Sequence, residues 1–214
     1  MIHTRRLMSA AALVLAIATP ALAGPPLLCH PFDIGTAKSL PWDGTRGWSQ
    51  GRADYPLKDL VADTDALLQP STPVIVRMET LRRAALYASQ DATVAAALMD
   101  RLNAKARPGV AAPDALAALD AAYLIEALRQ VTMLGGSVEF RGRIAGVNEV
   151  VKGRDAKPLL AQAVQARPSD PSVAFAAALI AMDLDRPAYG AYAARARSGV
   201  AQDALLARNI KHLS

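Results

Sequence analysis

Cysteine and histidine are both scarce in this 214-residue chain, which contains one cysteine and three histidines. A single cysteine, Cys29, excludes an internal disulfide. The sequence lacks the H-E-x-x-H and C-x-x-C pairs of zinc sites, the G-x-S-x-G elbow of hydrolases, the P-loop and the G-x-G-x-x-G motif. His30 and His212 lie near opposite ends of the chain, and we expect the last turn around His212 to fray. These absences predict a protein with no catalytic residues, no metal site and no cofactor.

Aromatic residues are rare as well, at 5% of the chain, whereas alanine occurs 46 times. Alanine has the highest helix propensity, and β-branched and aromatic residues favour strands. Because 52% of the residues are hydrophobic, the composition also excludes a disordered or collagen-like chain. The composition therefore predicts an all-α globular protein.

A hydrophobic run long enough to span a membrane is also missing. Two arginines precede a short apolar run at residues 7–19, and Ala21 and Ala23 occupy the positions that a signal peptidase reads. We predict a signal peptide over residues 1–23, cleaved after Ala23, and export to the periplasm or the medium. The run is shorter than the ~20 residues that span a bilayer, so we expect no stable membrane anchor after cleavage.

The excess of positive charge is small. The net charge is +5, and loss of the two arginines of the predicted signal peptide leaves +3. The basic residues are scattered among acidic ones, so the sequence does not indicate binding to nucleic acid.

Residues 24–56 are dense in proline and glycine and are predicted to be irregular. Both tryptophans of the chain, Trp42 and Trp48, lie in this segment. Apolar residues such as Phe32 argue against a free tail, so we predict an extended arm that packs across a helical body. The functional alternative is a loop that presents Trp42 or Trp48 to a ligand, because an indole offers a large contact area and one hydrogen-bond donor.

Residues 57–214 are predicted to form the helical domain. Apolar spacing and Pro, Gly and Asp boundaries predict helices at about 57–68, 74–88, 92–106, 114–134, 156–166, 171–184, 188–197 and 200–213. Gly135 and Gly136 are predicted to close the fourth of these as a C-terminal cap. Residues 137–154 are the least regular part and fit either an extended segment or a further helix. The short breaks between helices predict antiparallel hairpins.

Two segments of the helical domain are similar to each other. They read Asp91-Ala-Thr-Val-Ala-Ala-Ala-Leu and Asp170-Pro-Ser-Val-Ala-Phe-Ala-Ala. Each places an aspartate cap before small residues that let the helices of a hairpin approach closely. Residues 57–134 and 155–213 thus resemble the helix-turn-helix units of tetratricopeptide-like repeat proteins. The W-x-x-L-G-x-x-Y pattern is absent, which leaves an irregular helical bundle as the alternative.

One carboxylate falls on an apolar face. At about 100° per residue, Asp120 lies within the apolar arc of the predicted helix 114–134. A buried lone carboxylate is costly, so Asp120 is expected to pair with an arginine of helix 74–88, with Arg77 as the first choice and Arg82 on the other flank. These three residues form either a structural ion pair or the floor of a polar binding pocket. Glu79 and Arg83 of the same helix are spaced to pair on its outer face.

The sequence thus predicts a non-enzymatic exported scaffold. The resemblance to helical repeats implies a protein or peptide partner, and the candidate binding residues are Arg77, Arg82, Asp120, Trp42 and Trp48. The alternative is a small-ligand- or metal-dependent enzyme that uses Cys29, His30 and the tryptophan-bearing arm.

Overall fold

The computed structural model describes residues 24–107, 109 and 114–213. Over these residues the protein is all-α, and the only β-type pairing is an isolated antiparallel bridge between Trp42 and Gly51. None of the helices in this part of the chain is long and apolar enough to cross a membrane. The predicted signal peptide, residues 1–23, lies outside the described residues.

The described residues form ten α-helices and four short 3-10 turns. The α-helices are α1 (Leu60–Leu67), α2 (Val74–Ala88), α3 (Ala92–Ala106), α4 (Ala117–Met133), α5 (Val138–Arg141), α6 (Ile144–Val151), α7 (Lys157–Ala166), α8 (Pro171–Leu184), α9 (Arg186–Ser198) and α10 (Ala204–Asn209).

Aspartate caps set several of these helix starts. The side chain of Asp91 accepts hydrogen bonds from the backbone of the first turn of α3, and Asp170 does the same for α8. An aspartate at this position satisfies backbone N–H groups that have no partner within the helix. These caps therefore explain why α3 and α8 begin at the residues that the sequence predicts.

Residues 137–154, for which the sequence left an extended segment or a further helix open, contain two short helices, α5 and α6. The prediction that Gly135 and Gly136 cap α4 is wrong, because neither glycine has the positive φ of a glycine cap, and α4 ends at Met133 with Leu134 as its C-cap residue. Gly135 fits because a Cβ there would lie 2.4 Å from the side chain of Ile144 on α6. The glycine permits close packing of α6 against the end of α4.

Helix α4 lies at the centre of the fold. It contacts α2, α3, α6, α7 and α8, and nearly all of its residues are buried. A helix that is buried on every side cannot have a polar face, which is why its sequence is apolar almost all round. Helices α8 and α9 form the closest pair, with only Asp185 between them. Helix α8 also contacts α2, so the helices close around α4 instead of forming an open row.

Residues 24–56 form the predicted irregular arm, and it packs across the helices. Leu27 and Leu28 are fully buried in the hydrophobic core. The arm is joined to α10 by Asn209, whose amide donates to the carbonyl of Asp33 at 2.9 Å and whose Oδ1 accepts from the Asp33 N–H at 2.8 Å. The two ends of the described chain therefore pack together.

Candidate functional site

Arg77 on α2 joins four chain segments. Its Nη1 lies 2.5 Å from Asp120 Oδ2, and its Nη2 lies 2.5 Å from Asp114 Oδ2. Its Nε donates to the carbonyl of Thr72 at 3.2 Å, and Nη2 also donates to the carbonyl of Gln69. The predicted pair between Arg77 and Asp120 is therefore present, and it links α2 to α4 and to the loop before each helix.

The second carboxylate oxygen of Asp120 lacks a partner. Asp120 Oδ1 is buried and forms no hydrogen bond with another described residue. Burial raises the pKa of Asp120 to about 7, although the positive charge of Arg77 acts in the opposite direction. The side chains of Asp120 and Arg77 are each only 1% exposed. Since no ligand in solvent reaches this pair, its contacts support a structural role.

Arg82 belongs to a separate buried cluster. Its Nε and Nη2 donate to the two carboxylate oxygens of Glu79 at 2.8 and 2.9 Å. Its Nη1 donates to the carbonyls of Trp48 at 2.8 Å and Leu28 at 3.2 Å. Asp120 is not among its partners. The structure therefore does not bring Asp120, Arg77 and Arg82 together as the floor of one open pocket.

Glu79 pairs with Arg83 as predicted, but the pair lies under the arm and not on an outer face. Arg83 Nε lies 2.7 Å from Glu79 Oε1, and Arg83 also donates to the carbonyl of Leu40 at 2.6 Å. Glu79 Oε2 accepts the N–H of Phe32 at 3.0 Å. Burial by itself raises the pKa of Glu79, but the hydrogen bonds and charges of its arginines hold it below the ordinary value. Glu79 therefore remains ionised and fastens the arm to α2.

The two tryptophans occupy different environments, and both are half-buried. Trp48 stacks on Phe140 of α5, with ring centroids 6.2 Å apart and ring planes 9° apart. Trp42 meets the ring of Tyr87 edge-on at 5.5 Å, and the guanidinium of Arg82 lies 4.9 Å from its ring centroid. The indoles thus pack against the helical body, as the arm prediction requires, and each keeps an exposed portion.

An open cleft adjoins Trp42. A cavity of about 530 Å³ is lined by Trp42, Asp43, Arg52, Ala53 and Asp54. A neighbouring cavity of about 350 Å³ shares Arg52 and Ala53 with it. The second cavity is also lined by Ser49, Gln50, Gly51, Gln90, Glu139 and Arg143. We call the two cavities together the arm cleft. Its size is that of a small-ligand or peptide side-chain site.

The arm cleft carries charges of both signs at its surface. Arg52 and Asp54 form an ion pair at 2.6 Å, with side chains 53% and 68% exposed. In the second cavity Glu139 accepts a hydrogen bond from Ser49 at 3.1 Å. Arg143 is half-buried beside it, with its guanidinium 5.2 Å from the centroid of Phe140. Of the residues predicted to bind a ligand, only the tryptophans lie near an accessible surface.

Two histidines that are far apart in the sequence, His30 and His212, form a pair that was not predicted. The rings of His30 and His212 lie 5.8 Å apart by centroid, and Phe32 meets His212 edge-on at 5.3 Å. The turn at His212 packs against the arm through these ring contacts. Burial, His30 and Lys211 lower the pKa of His212 to about 4. No signal within either local sequence indicates that two residues so far apart meet.

Cys29, next to this pair in sequence, is a free and half-buried thiol. Burial raises its pKa, which disfavours the thiolate that a nucleophilic cysteine requires. Within the described ranges, no group of three or more His, Cys, Asp and Glu side chains is arranged to hold a metal ion.

The structure thus defines an all-α protein with a packed N-terminal arm and an open cleft at the arm. No protein-family model matches the chain. No curated protein matches its sequence significantly. No solved structure matches it significantly.

Proposed function

We propose that this protein is an exported, non-enzymatic helical scaffold that binds a protein or peptide partner through the arm cleft. The observation that carries the proposal is the open cavity that is lined by the half-buried indole of Trp42 together with Arg52 and Asp54. Tryptophan and arginine are enriched among the residues that contribute most to binding at protein interfaces. A polypeptide supplies both an apolar side chain for the indole and charges for the ion pair.

Helix packing supports a helix-turn-helix scaffold. Helix α3 packs most closely on α4, and α8 packs most closely on α9. Both α3 and α8 begin at an aspartate cap, at the segments whose sequences are similar. We infer that α3–α4 and α8–α9 are two tetratricopeptide-like units, with α5, α6 and α7 between them. A binding role for such units is an analogy from fold, whereas the arm cleft supplies a specific surface.

Export is proposed from the signal pattern of residues 1–23. The expected result is an exported protein whose first residue is Gly24, which N-terminal sequencing of the protein from the cell envelope or the medium tests. An N-terminus at Met1 in that fraction would contradict cleavage after Ala23.

Cross-linking in the native cell envelope tests the cleft as the binding surface. A photo-cross-linking amino acid in place of Ala53 lies on the wall shared by both cavities, at an exposed position. The control carries the same amino acid in place of Gln165, an exposed residue of α7. We expect a discrete adduct from position 53 and none from position 165.

An exchange of the two charges tests whether the partner recognises the ion pair between Arg52 and Asp54. The double variant Arg52→Asp with Asp54→Arg retains the pair and the net charge but reverses the local charge pattern. Because both side chains are exposed, the fold is expected to tolerate the exchange, which a thermal unfolding curve verifies. Loss of the adduct in a folded double variant supports the proposal. Equal adducts at positions 53 and 165, or no adduct at either, would overturn it.

A further inference from the structure

Arg143, between α5 and α6, is a half-buried cation without a carboxylate partner among the described residues. Its guanidinium lies 5.2 Å from the ring centroid of Phe140, and its Nη1 lies 3.5 Å from Ser89 Oγ. These contacts hold the guanidinium in place but do not neutralise it. Every other buried or half-buried arginine that the structure describes pairs with an aspartate or a glutamate. These arginines are Arg77, Arg82, Arg83, Arg129 and Arg154. Because a charge removed from water is costly without a counter-charge, Arg143 is the arginine at which an external anion supplies what the protein does not.

Hydrogen-bond donors surround Arg143. It lines the second cavity of the arm cleft, whose volume is about 350 Å³. Gln50 and Gln90 line the same cavity, and both are exposed. Their side-chain amides form no hydrogen bond with another residue of the described ranges, and each amide offers two N–H donors. A guanidinium and two sets of amide donors thus line one open cavity.

The charge of the cavity lining is positive on balance. Glu139 is the acid of that lining, where Arg52 and Arg143 outnumber it. Glu139 Oε2 accepts a hydrogen bond from Ser49 at 3.1 Å, and Glu139 forms no ion pair with Arg143. Since Arg52 already pairs with Asp54, Arg143 supplies the charge that is available to a ligand. One available cation matches a singly charged anion.

We propose that Arg143, with the amides of Gln50 and Gln90, forms a subsite of the arm cleft that binds a carboxylate of the partner polypeptide. Guanidinium and carboxylate form charge-assisted hydrogen bonds, which are shorter and roughly twice as strong as neutral ones. The amides donate to lone pairs of the carboxylate that the guanidinium does not use. The inference rests on the proposed function, because it names the chemical group through which the same partner is held.

The subsite is joined to a tryptophan of the arm. Trp48 stacks on the ring of Phe140, and the guanidinium of Arg143 approaches the same ring. A ligand that binds Arg143 therefore changes the surroundings of Phe140, and with them those of the indole. The indole N–H of Trp48 and the Nε–H of Arg143 are two NMR signals that report binding at this place.

Titration of the full chain with short peptides tests the subsite. The probe is an N-acetylated, C-amidated tripeptide with a glutamate between two alanines, so its charge is one side-chain carboxylate. The matched control has glutamine in place of that glutamate. N-acetylated trialanine with a free C-terminus separates a terminal carboxylate from a side-chain one. We expect saturable shifts of the Arg143 and Trp48 signals with at least one carboxylate peptide and no shift with the glutamine peptide.

Arg143→Gln removes the charge and is expected to weaken binding of the carboxylate peptide at least tenfold, as measured on the Trp48 signal. Arg141→Gln is the matched control, because Arg141 is exposed on α5 and does not line the cavity. A thermal unfolding curve verifies that each variant is folded. The comparison of the glutamate and glutamine peptides uses the unaltered chain, so it holds whether or not Arg143→Gln folds.

Three results would overturn the subsite. They are equal binding of the glutamate and glutamine peptides, no binding of either carboxylate peptide, and undiminished binding to folded Arg143→Gln. The subsite and the proposed function fail separately. A cross-linked adduct at position 53 without carboxylate binding leaves the cleft and removes the subsite. Carboxylate binding at Arg143 without an adduct supports the subsite and removes the proposed partner.

Discussion

Arg77 Nη1 and Asp120 Oδ2 lie 2.5 Å apart in the interior of the protein, where the two side chains connect α2 to α4. The guanidinium also contacts Asp114, and it donates to the carbonyls of Gln69 and Thr72. One arginine therefore holds two helices and two loops in a fixed relation. Loss of either partner leaves a buried group without its counterpart, which costs more than an intact pair contributes.

Replacing Asp120 with alanine is expected to lower the free energy of unfolding by about 3 kcal/mol, because it leaves Arg77 buried with one carboxylate fewer. Asp120→Asn is the matched control. It keeps an oxygen that accepts from Arg77 and is expected to lose less. Urea unfolding of the three proteins measures both differences. A stability of Asp120→Ala equal to that of the unaltered chain would show that the pair contributes nothing.

The raised pKa of Asp120 predicts that the stability of the protein depends on pH. Its folded pKa is raised from 3.8 to about 7 by burial. The folded state therefore holds a proton that the unfolded state has released, and this group's contribution is lost as pH rises through this interval. The stability of the unaltered chain relative to Asp120→Asn is expected to fall between about pH 4 and pH 7, by on the order of 4 kcal/mol.

Urea titrations of the unaltered chain and Asp120→Asn at several pH values measure that difference. The comparison with the asparagine variant cancels the other titrating groups. A difference that stays constant across the interval would mean that Asp120 keeps its ordinary pKa in the folded protein.

Glu79→Gln is expected to loosen the arm. Arg82 would keep a buried positive charge, and Arg83 a partly exposed one, without the carboxylate that neutralises them, at a cost of about 3–5 kcal/mol for the buried charge. Glu79 also accepts a hydrogen bond from the N–H of Phe32. The substitution is therefore expected to weaken the contact between the arm and α2. Limited trypsin digestion is expected to cleave within residues 24–56 much faster than in the unaltered chain.

Glu139→Gln provides the control for that digestion. Glu139 forms a hydrogen bond with Ser49 and is not fully buried, so its substitution is expected to leave the cleavage rate near that of the unaltered chain. Equal rates in both variants would show that Glu79 does not hold the arm.

Gly51→Ala is expected to destabilise the wall of the arm cleft. A Cβ at residue 51 would lie 2.3 Å from the ring of Tyr87, whose hydroxyl accepts from the Arg52 N–H and donates to the carbonyl of Pro41. Overpacking of this kind costs about 1–3 kcal/mol. Gly44→Ala is the matched control, because a Cβ there meets no atom within 4 Å.

Thermal unfolding of the two glycine variants distinguishes the outcomes. The expected result is a lower midpoint for Gly51→Ala and little change for Gly44→Ala. If the two midpoints fall equally, the close contact with Tyr87 is not the cause.

The long helices could be predicted from the sequence because caps and breaking residues act on backbone groups only a few positions away. Asp91 and Asp170 satisfy the first backbone N–H groups of α3 and α8, and a proline precedes α2. The sequence left residues 137–154 open between an extended segment and a further helix, because Gly142, Gly146 and Gly153 interrupt any regular apolar pattern there. Burial of Phe140 under Trp48 stabilises that region through contacts with the arm.

The candidate site was predictable only in part. Helical phase places Asp120 on an apolar face, and burial then requires a partner, so the pair with Arg77 follows from the sequence. The same helical spacing predicts that Glu79 and Arg83 lie on an outer face of α2. The arm covers that face, and nothing in α2 itself indicates a cover. The arm cleft is formed by residues from the arm, the loop after α2, α5 and the loop between α5 and α6. Whether these segments meet depends on the whole fold.

The amino-acid order alone determines where the long helices begin and end and which carboxylate must find a counter-charge, since caps and periodicity act over a few residues. Tertiary structure decides which helix is central, which arginine meets which acid beneath the arm, and that His30 lies beside His212. The physical reason is that these contacts join distant segments, and their geometry is set by the packing of the entire core rather than by any neighbouring residue.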